Sequence, residues 1–129
     1  KIIKILDNIE KQTENYSDNY LNIAIAYGGR NEIVNAIKKI TEDIKLEKIN
    51  TEQISENLIE KYLYTSHLPK QEPELVIRTS GEERLSGFLL WQSAYSELVF
   101  LDVYWPDFRK IDLMRAIRTY QKRSRRLGE

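Results

Sequence analysis

The sequence predicts an α/β fold, on two observations. Three short apolar runs, residues 21–27, 75–77 and 98–105, are bounded by glycine, proline or polar turn residues and read as strands. Around them, apolar residues recur at helical spacing in about five further stretches. The 129 residues are enough for one domain with a real core and too few for two, so 1–129 is read as one unit.

In chain order, Ile2, Ile5, Leu6 and Ile9 repeat at helical spacing from the start. Nothing caps that helix, which suggests a chain cut from something longer. Residues 13–19 are polar and read as a loop. The run from Leu21 to Tyr27 reads as a buried strand, stopped by Gly28 and Gly29. A helix follows, with Ile33, Val34, Ile37, Ile40 and Ile44 on one stripe and Lys38, Lys39, Glu42 and Asp43 facing water. Its glycine pair and Arg30 could hold an anion at the helix N-terminus, but such a pair more often makes a tight strand-to-helix turn, and that reading is favoured.

Thr51 is the expected N-cap of a third helix carrying Ile54, Leu58, Ile59 and Tyr62. Pro69 and Pro73 bracket a loop before the central strand. The apolar segment of Phe88, Leu89, Leu90, Trp91, Ala94 and Tyr95 reads as a short helix leading to Glu97. Leu98 to Trp105 reads as a third strand, and Pro106 and Asp107 turn the chain into a last helix, Arg109 to Arg126. That helix sets Ile111, Met114, Ile117 and Tyr120 on one face.

Composition narrows the function. Lys plus Arg and Asp plus Glu are each 20, so no bulk charge draws the chain to nucleic acid. The last helix is basic but offers only Tyr120 as an aromatic partner for bases, and its cationic end suits the helix dipole as a solvated face. Without cysteine there is no disulfide framework or thiolate chemistry, which fits a reducing compartment and makes the cytoplasm the expected location. No apolar run approaches the roughly 18 residues that span a bilayer. His67, the single histidine, has no other His or Cys to form a metal cluster and reads as a loop residue without chemistry.

Chemistry concentrates just after residues 75–77. Arg78, Thr79, Ser80, Gly81, Arg84 and Ser86 place two guanidiniums, three hydroxyls and a glycine where an open α/β sheet binds ligands, beyond the carboxyl end of a strand. Arginine forks match phosphate oxygens, hydroxyls donate to the remaining lone pairs, and glycine lets backbone N–H groups approach. Taken singly, each has a plainer explanation. Glu82 and Glu83 stand ready as surface ion-pair partners, and Ser-Gly pairs make turns. Six such residues within nine positions raise an oxyanion cradle to an even prospect.

Three segments together resemble the cis-prenyltransferase family, the undecaprenyl, dehydrodolichyl and other polyprenyl diphosphate synthases. They are YGGR at Tyr27–Arg30, IRTSGEERLSGFLLWQSAYSEL at Ile77–Leu98 and DVYWPDF at Asp102–Phe108, in the family's order. The resemblance covers nearly the whole chain but only the C-terminal half or so of a family member. It implies part of an α/β fold whose central parallel sheet is flanked by helices. It implies that Arg78, Arg84, Leu85 and Ser86 bind isopentenyl diphosphate and that Glu97 takes part in binding Mg²⁺. Arg126 and Gly128 match the family's RxG tail, which reaches an active site across a homodimer.

The activity implied is cis-prenyl chain elongation, condensing isopentenyl diphosphate with an allylic diphosphate, with at most peripheral membrane contact through the lipid product. Gly87 and Ala26 depart from the family's usual Asn at those places. No stretch resembles the family's DGNGRWA-like motif, so the catalytic residues are expected upstream of Lys1 and these 129 residues alone are expected not to turn over. A non-catalytic partner subunit is the alternative within the family, though such partners tend to lose the RTSGE segment kept here. Outside it stands a generic phosphate-binding or RNA-binding α/β module.

Overall fold

The structure is a computed structural model and describes residues 2–123. Its centre is a parallel pair of strands, β1 (Leu75–Arg78) and β2 (Glu97–Phe100), with Leu75 opposite Glu97 and Arg78 opposite Phe100. Both are rich in branched apolar residues, and Val76 and Val99 are buried. β2 is shorter than the strand expected over 98–105. Beyond Phe100 the backbone turns its hydrogen bonds on the residues after β1: Leu101 N–H donates to the Arg78 carbonyl at 2.8 Å, and the Val103 and Leu101 carbonyls accept from Ser80 and Gly81 at 2.8 and 3.0 Å.

A parallel pair needs a crossover, commonly a helix. Here residues 79–96 make it through turns, and the helix expected over 88–95 does not form. Leu89 marks the break: its φ of +46° is left-handed and interrupts any right-handed helix at that point, and the residues after it continue as turns. The strand expected over 21–27 is also absent. A strand is defined by its ladder, and this stretch forms none, because among the described residues β1 and β2 pair only with each other; Leu21, Ile23 and Ile25 lie exposed, Leu21 at 87%.

Four helices complete the described chain, with short 3₁₀ turns at Thr51–Gln53 and Trp105–Asp107. α1 (Ile2–Thr13) buries none of its residues. α2 (Gly29–Lys45) buries Gly29, Glu32, Ala36 and Ile40, whereas Val34 and Ile37 of the expected stripe are exposed. The helix is turned so that Glu32 meets three hydrogen-bond donors, described below. The expected third helix is split in two. Asn50, not Thr51, caps the 3₁₀ turn, its side chain accepting from Gln53 N–H at 3.1 Å while the Gln53 side chain accepts from Asn50 N–H at 2.8 Å. Ile54 is extended, and Ser55 then caps α3 (Glu56–Glu60) by accepting from Leu58 N–H. Tyr62 donates to Asp43 at 2.7 Å and ties this region back to α2.

α4 (Lys110–Lys122) packs on β2 and buries Asp112 and Ala116, leaving Ile111 and Met114 of the expected face exposed. The helix stops at Arg123, whose backbone is extended, rather than running to Arg126. Arg126 and Gly128 lie outside the described residues. Asp112 sets the helix start. It accepts from Arg109 N–H and Nε, both at 3.1 Å, and from Arg115 at 3.3 Å. The Arg109 hydrogen bond leads in holding the Asp112 carboxyl below its usual range. The folded state therefore favours the charged form. The stability this adds is present above the unfolded carboxylate pKa and lost as pH falls through the lower folded value. Asp112→Asn is expected to lower the melting temperature at neutral pH, with the gap from the parent chain closing as pH falls below about 4. A gap that stays constant into strong acid contradicts the charge-based role.

Candidate functional site

β1 ends on Arg78, and the turns that follow fold over its carboxyl end to form an open cleft of about 600 Å³. Its walls are Ala26 and Tyr27 before α2, Ile77 to Thr79 at the end of β1, and Leu85 to Phe88 from the crossover. Arg78 organises the mouth. Its Nη1 donates to Ser86 Oγ at 2.7 Å and to the Arg84 carbonyl. Of the six residues of the expected cradle, Arg78, Thr79 and Ser86 line this cleft, whereas Ser80, Gly81 and Arg84 are not in its lining and the glycine that is there is Gly87.

Backbone strain gathers here. Ala26, Ser80, Gly81, Ser86, Gly87 and Leu89 all have φ between +46° and +85°. Such residues persist only where surrounding structure enforces them, and they favour functional sites. Two glycines, left-handed Gly81 and helical Gly29, show how closely the backbone is packed around the cleft. A Cβ on Gly81 would stand 2.9 Å from Asp102 Oδ1. At Gly29 it would stand 2.5 Å from the Gly87 carbonyl oxygen, which already accepts the Gly29 N–H at 2.9 Å. Gly29 therefore serves close packing of α2 against the crossover, and its N–H, the first of the helix, is committed to Gly87. The pair leads into the helix as expected, but from a bend and not from a strand.

Behind the cleft lies a polar cluster that sequence reasoning missed. Glu32, in the first turn of α2, is 1% exposed. It accepts from the Tyr27 hydroxyl, from Tyr64 N–H at 2.8 Å and from Gln92 Nε2 at 3.1 Å. Tyr27 also packs edge-on against Tyr64 and Phe88. Burial first, then the bond to Glu32 and its charge, push the Tyr27 phenol above its ordinary value, so it stays a donor. A signal existed in the sequence: Gln92 is a polar residue inside an apolar run, and Glu32 falls three residues after Gly29, on the face that packs inward.

A family model described as "Putative undecaprenyl diphosphate synthase" matches residues 1–128. The chain belongs to this family, the cis-prenyltransferases. Its relatives include the tritrans,polycis-undecaprenyl-diphosphate synthase (geranylgeranyl-diphosphate specific) of Methanopyrus kandleri, 55% identical over 99% of this chain and 46% of the relative. An isoprenyl transferase of Thermus thermophilus is 48% identical over 99% of this chain and 49% of the relative. Among solved structures, lavandulyl diphosphate synthase from Lavandula x intermedia in complex with dimethylallyl diphosphate superposes with a TM-score of 0.94 at 34% identity, covering 98% of this chain and 53% of that one. The chain thus spans about half the length of the relatives it matches, and what it holds of the cis-prenyltransferase α/β fold is incomplete.

Against that family pattern the expected residues fall into three places. Arg78, Leu85 and Ser86 line the cleft. Arg84 stands at its edge, where Nη2 pairs with Glu82 at 2.7 Å, the surface ion pair that the neighbouring glutamates foretold. Glu97 is not with them. It opens β2 level with Leu75, three rungs or about 10 Å back along the sheet from Arg78, and it accepts from Arg123 at 3.1 Å. His67 takes no part in the cleft; its Nε2 lies 3.1 Å from Asn22 Oδ1.

Proposed function

We propose that the cleft at the end of β1 is the isopentenyl diphosphate half-site of a cis-prenyltransferase, which condenses that substrate with an allylic diphosphate into a longer polyprenyl diphosphate. The observation that carries the reading is the Arg78–Ser86 contact at 2.7 Å, set at the mouth of a strained, glycine-containing cleft in a chain of this family. Arg78 has five N–H donors, and a diphosphate can take those not bound to Ser86 or the Arg84 carbonyl. Ser86 accepts from Arg78, which leaves its own O–H to donate to a ligand oxygen. Arg84 joins by exchanging Glu82 for the ligand. That pair is largely exposed, 67% on the Arg84 side, and surface pairs of this kind are worth little, so the exchange costs little.

In the reaction proposed, the C–O bond between the allylic carbon and its diphosphate breaks and the isopentenyl double bond attacks that carbon. A proton then leaves. The arginines hold the isopentenyl diphosphate in place and offset its charge. Leu85 and Phe88 supply the apolar side of the cleft, where the carbon part of the substrate would lie.

The reading extends to Mg²⁺ as the counter-ion of the diphosphates, with Glu97 the carboxylate offered to it. Mg²⁺ binds through one or two carboxylates together with water and phosphate oxygens, so one carboxylate suits it chemically. Glu97 is three rungs from Arg78, and among the described residues no three His, Cys, Asp or Glu group together, so no step is routed through the ion. When bound, it would neutralise diphosphate charge. The proposed enzyme works as a homodimer in the cytoplasm, touching membrane only through its product. Exposed Ile2, Ile5 and Ile9 on α1 and Leu21, Ile23 and Ile25 support association, and among the described residues no helix is long and apolar enough to cross a membrane.

Calorimetric titration with isopentenyl diphosphate and Mg²⁺ tests the site. The chain should bind, and Arg84→Lys, which keeps the charge but loses the planar fork, should weaken binding by roughly tenfold or more, the ~1.5–3 kcal/mol of a charge-assisted hydrogen bond. Unchanged affinity removes Arg84 from the site. Sedimentation of the same sample should show self-associated species, and a clean monomer at high concentration contradicts the association.

A further inference from the structure

Gln92 is the hub of the polar cluster behind the cleft. Its side chain is 1% exposed, and Nε2 donates both to Glu32 Oε1 at 3.1 Å and to Thr65 Oγ1 at 3.0 Å. Thr65 donates onward to Gln71 at 2.9 Å. The orientation of the amide is forced, because Glu32 Oε1 only accepts and only the NH₂ group can face it. The consequence is that Gln92 Oε1 is buried without a hydrogen-bond partner among the described residues. An orphaned buried carbonyl is destabilising, and one kept in a native structure asks for a reason.

The reason lies in what the two donated bonds join. Gln92 stands in the later part of the crossover, six residues after Ser86 of the turn that also holds Arg84 and Leu85. It fixes the crossover to Glu32, and so to Tyr27 on the opposite wall of the cleft, and to Thr65 on the segment after α3. The crossover has no helix of its own to hold its shape, and it carries left-handed residues at 86, 87 and 89.

We propose that Gln92 is a positioning residue for the diphosphate cleft: it clamps the Arg84–Ser86 turn against α2 through Glu32, and the orphaned carbonyl is the cost of that clamp. This rests on the diphosphate reading of the cleft. Gln92 touches neither the cleft nor a ligand and acts through the turn it holds.

The proposal separates affinity from stability. Gln92→Leu removes both donated bonds and also the orphaned acceptor, while Glu32 Oε1 keeps the Tyr64 N–H. The variant should melt within a few degrees of the parent chain yet bind inorganic pyrophosphate at least tenfold more weakly. A buried residue with a purely structural role would lower the melting temperature and leave the affinity of the folded fraction unchanged, and that result overturns the proposal. Thr65→Val deletes one of the two acceptors without altering Gln92 and should cost about threefold in affinity; it decides the matter if Gln92→Leu does not fold, and unchanged binding in it then counts against the clamp. Amide hydrogen exchange without ligand supplies a readout independent of the diphosphate reading. Phe88 and Ser93, whose N–H groups bond within the crossover at 3.0 and 2.8 Å, should exchange faster in Gln92→Leu, as should Gly29. If the parent chain binds no pyrophosphate, the functional reading fails while the exchange rates still judge the clamp; unchanged exchange in a folded variant overturns it.

Discussion

The buried carboxylate of Glu32 is the constraint on which the rest of the structure depends. Among the described residues it is held by three donors: the Tyr27 hydroxyl, the Tyr64 backbone and the Gln92 amide. Each comes from a different stretch of chain. A buried carboxylate is costly unless it is hydrogen-bonded. Tyr27 serves Oε2 while Tyr64 and Gln92 share Oε1, so each oxygen keeps a donor when Gln92 alone is lost, whereas the connection to the crossover does not survive. A helix, the segment after α3 and the crossover between the strands are thereby held in one geometry, with the cleft along its edge.

The parallel strand pair sets where that geometry does its work. β1 delivers Arg78 at its carboxyl end, and the hydrogen bonds from residues 78–81 to 101–103 lock the turn beyond it. Close backbone contact at Gly29 and Gly87 brings α2 onto the crossover without space for a side chain between them. The left-handed residues around the cleft are tolerated because hydrogen bonds on either side enforce them. The site is in this sense assembled by packing behind it rather than by the residues that would touch a ligand.

Much of this was legible in the residues, and the failures have physical causes. Leu75 to Ile77 could be recognised as a strand from a short apolar run between polar turns, and Arg78, Thr79 and Ser86 as cleft residues from their place after it, whereas Leu85 came only from the family resemblance. The segment 21–27 has the composition of a strand, but composition does not supply a neighbour to pair with. The stripe on α2 differs from the expected one because apolar periodicity counts Val34 and Ile37 as inward and takes no account of Glu32. Three convergent donors reverse that assignment. At 88–95 the apolar spacing suited a helix, but the chain forms turns there, broken at Leu89 by a left-handed backbone that apolar spacing does not encode. Glu97 lay within the same motif as Arg78 in sequence, yet the parallel register separates them by three rungs.

The central claim is that an anion binds where Arg78 and Ser86 meet. Titrating inorganic pyrophosphate into isotopically labelled chain and following the amide and guanidinium resonances tests it directly. The account predicts saturable shifts centred on Arg78, Thr79, Ser86 and Gly87, with the basic surface of α4 little affected at moderate salt. Shifts spread along α4 and abolished by salt, with none at Ser86 or Gly87, would contradict it.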